Sequence, residues 1–147
     1  MRIKQVLFIC TGNTCRSPMA ETIFKKKMRL AGMSGIKVKS AGLMAEDGSA
    51  MSENSRIALK ELGYRPYAFK ATLVSGKLLI NSDLIVCMTG EHKRAIASFP
   101  NVYSMAEVTG YDVGDPYGQS KEKYLFTAKQ LEVACEAIIE KILKGEL

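Results

Sequence analysis

Val6-Leu7-Phe8-Ile9-Cys10-Thr11-Gly12-Asn13-Thr14-Cys15-Arg16-Ser17-Pro18 is the stretch that decides the fold. Residues 6–10 are an apolar run of buried-strand length, and Ser17-Pro18 opens a segment of helical periodicity, so the residues between them form a strand-to-helix loop. The first N–H groups of a helix lack internal partners and carry the positive end of its dipole, which makes such a loop a natural anion site. Gly12 and Asn13 are residue types that adopt left-handed backbone conformations, as a tight cradle of inward-pointing N–H groups requires. Arg16 adds a permanent planar fork for two oxygens of a phosphoryl group. An oxyanion held here would meet Thr11, Gly12, Asn13, Thr14, Cys15, Arg16 and Ser17. Cys10 faces the same helix start, and in comparable settings a thiol pKa falls from about 8.5 to about 3.5–7.5. Ser17 is expected both to cap the helix and to donate its hydroxyl to the Cys10 sulfur.

The rest of the chain is consistent with one domain, residues 1–147, large enough to bury roughly two thirds of its unfolded surface. It is 47% hydrophobic and only 7% aromatic, which implies an aliphatic, methionine-rich core. The apolar run after Arg2 and Lys4 is too short for a signal peptide and far short of a membrane span, so a cytoplasmic protein without membrane attachment is expected. Cys10, Cys15, Cys87 and Cys135 match no usual zinc spacing, and a core of this size needs no disulfides; they read as reduced thiols. Nothing here requires a metal ion or an organic cofactor. The net charge of +6 favours an anionic substrate. Nucleic acid is the rival partner, but Lys25, Lys26, Lys27 and Arg29 lack the interleaved aromatic residues of a base-stacking surface.

Ala20, Ile23, Phe24, Met28 and Ala31 repeat at helical spacing from Pro18 to about Ala31, with Glu21, Lys25, Lys26 and Arg29 mostly on the outward side. Ile36 to Ser40 alternates as a strand, Ser52 caps a helix ended by Gly63, and a short helix is expected near Leu73–Leu79. Asp83–Thr89 reads as a buried strand, His92–Ser98 as helix, Asn101–Ser104 as a short strand and Thr109–Gln119 as irregular chain. Tyr124, Ala128, Leu131, Cys135, Ile138 and Ile142 line one face of a long terminal helix. Strands alternating with helices imply an α/β protein with a parallel sheet, whose ligands bind at the carboxyl ends of the strands. Loops after Cys10, Ser40, Thr89 and Ser104 then share one edge, and Asp115 can approach Cys10.

Val6 to Glu21 resembles the low-molecular-weight protein-tyrosine-phosphatase family, whose loop runs Cys, five residues, Arg, Ser. Ser40-Ala41-Gly42, Asp83 to Thr89 and Asp115-Pro116-Tyr117-Gly118 extend the likeness along the whole chain. The resemblance implies a three-layer α/β/α fold on a four-stranded parallel sheet, and hydrolysis of phosphorylated protein side chains through a phosphocysteine. It implies Cys10 as nucleophile, Arg16 as phosphate ligand and Asp115 as the acid that protonates the leaving atom and then activates water. Pro116 holds Asp115 extended; Asp112 is the competing acid on the same loop. It also implies that Ser40 hydrogen-bonds Asn13 and holds its strained backbone. The one histidine, His92, sits in Glu91-His92-Lys93-Arg94 and reads as a solvated helix start. Cys15 lies inside the cradle and is either a packing residue or the partner of Cys10 in a reversible disulfide.

Thr14 departs from the tyrosine-directed members, which typically carry an aliphatic residue there, and resembles the protein-arginine phosphatases of the family. At a pocket rim a methyl group packs on a phenyl ring, whereas a hydroxyl pairs with guanidinium donors. Glu46 and Asp47 are a second hint towards phosphoarginine, or simply a solvated loop; Tyr117 can stack on a phenol or on a guanidinium. Phosphoarginine is the favoured substrate and phosphotyrosine the close second. Arsenate reductases share the fold and loop, but their helper cysteines follow the third strand, whereas here Cys87 lies within that strand and no second cysteine occurs before Cys135, so the relay is incomplete. A module that merely captures phosphoprotein would lack Cys10 or Asp115, and both are present.

Overall fold

The computed structural model describes residues 2–147. Strand β1 (Gln5–Cys10) is buried at every position. A strand covered on both faces needs apolar residues in succession, and Val6-Leu7-Phe8-Ile9 supplies them. It lies between β2 (Lys37–Gly42) and β3 (Leu84–Cys87), with β4 (Val102–Ser104) outside β3. All pairings are parallel, in the order β2-β1-β3-β4, as a four-stranded α/β/α fold requires.

Successive residues of β1 point to opposite faces, and each face has its own core. Val6 and Phe8 pack with Met19, Ile23, Phe24 and Leu131, whereas Leu7 and Ile9 pack with Leu79, Ile85, Cys87 and Ile96. The first face is covered by α1 (Arg16–Leu30), α2 (Glu53–Glu61), α5 (Met105–Thr109) and α6 (Lys121–Leu143). The second is covered by α3 (Gly76–Ile80) and α4 (Gly90–Ala95). Phe8 and Phe24 join β1 to α1 edge to face, with ring centroids 5.4 Å apart. No helix among the described residues is long and apolar enough to cross a membrane.

Several boundaries differ from the sequence-based expectations for local reasons. β2 runs on to Gly42 because it pairs with the whole of β1, Cys10 opposite Gly42. Asp83 precedes β3, where its carboxylate accepts from the N–H groups of Lys4 and Gln5 at 2.9 Å. α4 begins at Gly90, two residues earlier than expected, since Thr89 and His92 form a reciprocal cap. α5 was not foreseen; Ser104 and Glu107 form the same kind of cap at its start. Ser17 does not cap α1: the cap position falls on Cys15, which makes no side-chain bond there, and the Ser17 hydroxyl turns to Cys10 instead.

Strand order reverses at β1, since β2 lies on one side of it and β3 on the other. The crevice of a parallel sheet opens at such a point, between the loops leaving β1 and β3. Gly42 ends the neighbouring strand against the first of these loops. A Cβ at Gly42 would collide with the carbonyl oxygen of Thr11 and stand 2.9 Å from the amide nitrogen of Asn13. Both are backbone atoms and cannot swing aside. Gly42→Ala is therefore expected to destabilise the protein by about 1–3 kcal/mol in urea unfolding and to depress turnover by displacing the loop. Gly114→Ala, with nothing within 4 Å, should leave both unchanged.

Candidate active site

The loop between β1 and α1 is shaped by Asn13, whose φ of 55° is the left-handed conformation expected for the cradle. Its amide nitrogen donates to Ser17 Oγ at 2.8 Å and to Ser40 Oγ at 3.0 Å, and its Oδ1 accepts the N–H of Thr72 at 2.9 Å. All three bonds are to different segments. The Ser40 hydroxyl passes its own proton to Glu21 Oε1 at 2.6 Å. Glu21 is thus buried and turned inward, contrary to the outward face that its helical position predicts. Three donors explain it: Ser40, Lys25 at 2.6 Å and the hydroxyl of Tyr67.

This pattern fixes the direction of the last bond. Ser17 Oγ receives a proton from Asn13, so its own hydrogen is free for Cys10 Sγ at 2.7 Å. Burial pushes the Cys10 thiol above its ordinary value, against the pull of the Ser17 hydroxyl and N–H, the Arg16 charge and the Asn13 N–H. That is opposite in sign to what the helix start alone predicts, because the strand end removes the thiol from water. Ionisation of Cys10 therefore depends on those surrounding donors.

Arg16 is buried, with Nη1 donating to the carbonyl of Val113 at 3.0 Å and Nη2 to Thr11 Oγ1 at 3.4 Å. Its Nη2 lies 3.7 Å from Asp115 Oδ2. Asp115 is half exposed, and its Oδ1 accepts the N–H of Tyr117 at 3.0 Å, which sets the carboxyl beside the loop. Asp112, the competing acid, is taken up by the N–H groups of Gly90 and Ala106. Cys10, Thr11, Gly12, Thr14, Cys15, Arg16, Asp115 and Tyr117 line one cavity of about 210 Å³. Thr14 is half-buried at this cavity and Tyr117 is exposed at its mouth. Asn13 and Ser17 lie behind the wall as buried supports.

His92 is a correction to the expected solvated helix start. It is buried, its Nδ1 accepts the N–H of Thr89 at 3.2 Å, and its Nε2 consequently carries the proton and donates to Thr11 Oγ1 at 2.9 Å. Thr11 Oγ1 thus accepts from both His92 and Arg16. The charged run around His92 hid this role; Thr89 followed three residues later by His92 was the signal available. Asp47 is likewise a structural residue, accepting the N–H of Leu73 at 2.6 Å, and neither it nor Glu46 lines the cavity. Cys15 Sγ lies 3.4 Å from Ser52 Oγ and 3.6 Å from the Tyr124 hydroxyl. All four cysteines are free; Cys87 and Cys135 are core residues whose thiols burial pushes up, that of Cys87 to about 12, which suits neither to a thiol relay.

A thiol and a guanidinium presented to one small cavity, at the switch point of a parallel sheet, define a phosphatase that works through cysteine. The chain belongs to the low molecular weight phosphotyrosine protein phosphatase family, whose model matches residues 5–146. It is 35% identical over 147 residues to a protein-arginine-phosphatase of Bacillus subtilis, covering 95% of this chain and 97% of that one. It is 38% identical over 133 residues to the low molecular weight protein-tyrosine-phosphatase PtpB of Staphylococcus haemolyticus, covering 86% and 91%. A solved structure of the YwlE arginine phosphatase, a cysteine-to-serine mutant with a phosphorylated active-site serine, superposes with a TM-score of 0.89 at 33% identity, covering 95% and 96%.

Burial, and then the nearby Arg16 charge, hold the His92 pKa below its ordinary 6.5, while Glu91, Asp115 and Asp112 pull weakly the other way. The folded protein thus binds this proton less tightly than the unfolded chain, so the stabilisation is complete above pH 6.5 and is lost as the pH falls below it. Thermal unfolding followed from pH 7.5 to 5 should show a smaller loss of midpoint in His92→Asn than in wild type. Equal losses would remove His92 as the titrating group.

Proposed function

We propose that this phosphatase acts on phosphoarginine in proteins, with Cys10, Arg16 and Asp115 as its catalytic residues. Arg16 and the N–H groups of the loop from Thr11 to Ser17 hold the phosphoryl oxygens as charge develops on them. The Cys10 thiolate attacks phosphorus in line, and the bond to the guanidine nitrogen breaks as protonated Asp115 gives that nitrogen its proton. The Asp115 carboxylate then takes a proton from water, whose oxygen attacks the phosphocysteine; inorganic phosphate leaves and Cys10 returns as thiolate. The Ser17 hydroxyl supports the sulfur in both roles, and Asn13 and Ser40 keep the loop in shape. A cytoplasmic site of action goes with this reading.

The observation that carries the substrate preference is Thr14 at the cavity lining, where its hydroxyl can accept from a guanidinium. Phosphotyrosine is the second reading, and the exposed ring of Tyr117 in the same lining favours it, as a platform for a phenol. Phosphate release from phosphoarginine and phosphotyrosine peptides decides between them. Wild type should prefer phosphoarginine, and Thr14→Ile should move the ratio about tenfold towards phosphotyrosine. A strong wild-type preference for phosphotyrosine that Thr14→Ile leaves unchanged would overturn the assignment. Cys10→Ser should abolish turnover of both, and Asp115→Asn should cost about 10²–10⁴-fold, more with phosphoarginine because its nitrogen cannot leave without a proton.

A redox role for Cys15 is a separate proposal. It lines the cavity with Cys10, so hydrogen peroxide can take two electrons from the two thiols, forming the Sγ–Sγ bond as their two protons leave in two waters. Peroxide-treated wild type should then regain activity with dithiothreitol, and Cys15→Ala should not. Equal recovery of both would leave Cys15 as a packing residue.

A further inference from the structure

We propose that Tyr67 is a positioning residue for the nucleophile, acting on Cys10 through the hydrogen bonds that run from Tyr67 through Glu21, Ser40, Asn13 and Ser17. The inference rests on Cys10 working as a thiolate. Tyr67 belongs to the segment between α2 and α3, far from Cys10 in sequence, and does not line the catalytic cavity. Its hydroxyl donates to Glu21 Oε2. Lys25 Nζ donates to the same carboxylate oxygen at 2.6 Å and to the Tyr67 oxygen at 3.3 Å, and stands 4.5 Å from the centre of its ring. An ammonium group only donates, so the tyrosine proton has a single place to go, the carboxylate.

Oε2 is therefore held by Tyr67 and Lys25, which leaves Oε1 facing Ser40. Of the two holders Tyr67 is the firmer. Its ring sits edge-on against the buried Phe69 with centroids 6.1 Å apart, whereas Lys25, about as exposed as Tyr67, reaches the carboxylate on a flexible four-carbon stem and its ion pair is weakened by solvent. When Oε1 is in place, Ser40 gives it a proton and can accept from Asn13. When Oε1 turns away, the Ser40 proton has no acceptor and competes with the Asn13 amide hydrogens. The amide loosens, and the Ser17 hydroxyl loses the donor that aims its own hydrogen at Cys10. A partly exposed tyrosine thus sets how readily the nucleophile ionises.

The test is the rate of Cys10 alkylation by iodoacetate as a function of pH, which needs no phosphorylated substrate. Tyr67→Phe should move the midpoint of alkylation up by about half a pH unit, a rate about threefold lower below the midpoint, with kcat falling in step and KM unchanged. Tyr64→Phe is the control: it removes a comparable hydroxyl-to-carboxylate bond, to Glu132 at 2.7 Å, that does not lead to Cys10, and its profile should match wild type. An unmoved midpoint in Tyr67→Phe, or the same shift in both variants, overturns the proposal. If Tyr67→Phe does not fold, Glu21→Gln should show the upward shift, and an unmoved midpoint there overturns it equally. Wild type that resists alkylation at every pH overturns the thiolate mechanism, and this inference with it.

Discussion

The architecture of the site depends on one side chain, Asn13, held in the left-handed conformation at φ 55°. For an L-residue that backbone costs about 1–2 kcal/mol, and the cost is met because its amide is bonded on both ends. Its bonds to Ser17, Ser40 and the N–H of Thr72 tie the loop to α1, to β2 and to the segment before α3. A glycine would adopt the same φ without strain, but it would leave Ser17, Ser40 and Thr72 without their common partner. Conformation and connection are supplied by the same residue.

Arg16 does for the far side of the cavity what Asn13 does for the near side. Its bond to the Val113 carbonyl spans 97 residues of sequence, and the N–H of Val113 in turn donates to the carbonyl of Met88 just beyond β3. The segment leading to Asp115 is therefore suspended between the end of a strand and the guanidinium of Arg16. Sheet order makes this possible, since β1 and β3 are neighbours and their loops leave by the same edge. A buried guanidinium needs opposite charge close by. The Asp115 carboxylate at 3.7 Å, half in solvent, is an incomplete partner, and the phosphoryl group of the proposed substrate would be a better one.

What was legible in the sequence follows from the range of the forces involved. The apolar run before Cys10, the Ser-Pro after Arg16 and the periodic face of α6 are local patterns, and they placed the strand, loop and longest helix correctly. The Gly-Asn pair announced the left-handed turn, though the strain falls on Asn13 alone. Glu21 was misread because helical periodicity sends a glutamate outward; Ser40, Lys25 and Tyr67, which hold it inward, come together only when β2 and the segment after α2 have folded against α1. His92 was misread for a similar reason, as its partner Thr11 lies 81 residues away on the other side of the switch point. Polar residues in a charged run look solvated until the fold supplies their acceptors.

The same distinction governs Cys10, the proposed nucleophile. A cysteine at a helix start reads as acidic when only the helix is considered, but this cysteine ends a fully buried central strand, and burial is the largest influence on it. The strand that brings the sulfur to the crevice also removes it from water. Against that stand the Ser17 hydroxyl, two backbone N–H groups and Arg16, each effective only while its geometry holds. The thiolate population is thus set by opposing effects of which burial is the largest, and a change of about 1.4 kcal/mol in their balance alters it tenfold. Under the proposed mechanism, rigidity in the hydrogen-bonded line behind the loop would serve catalysis as well as structure.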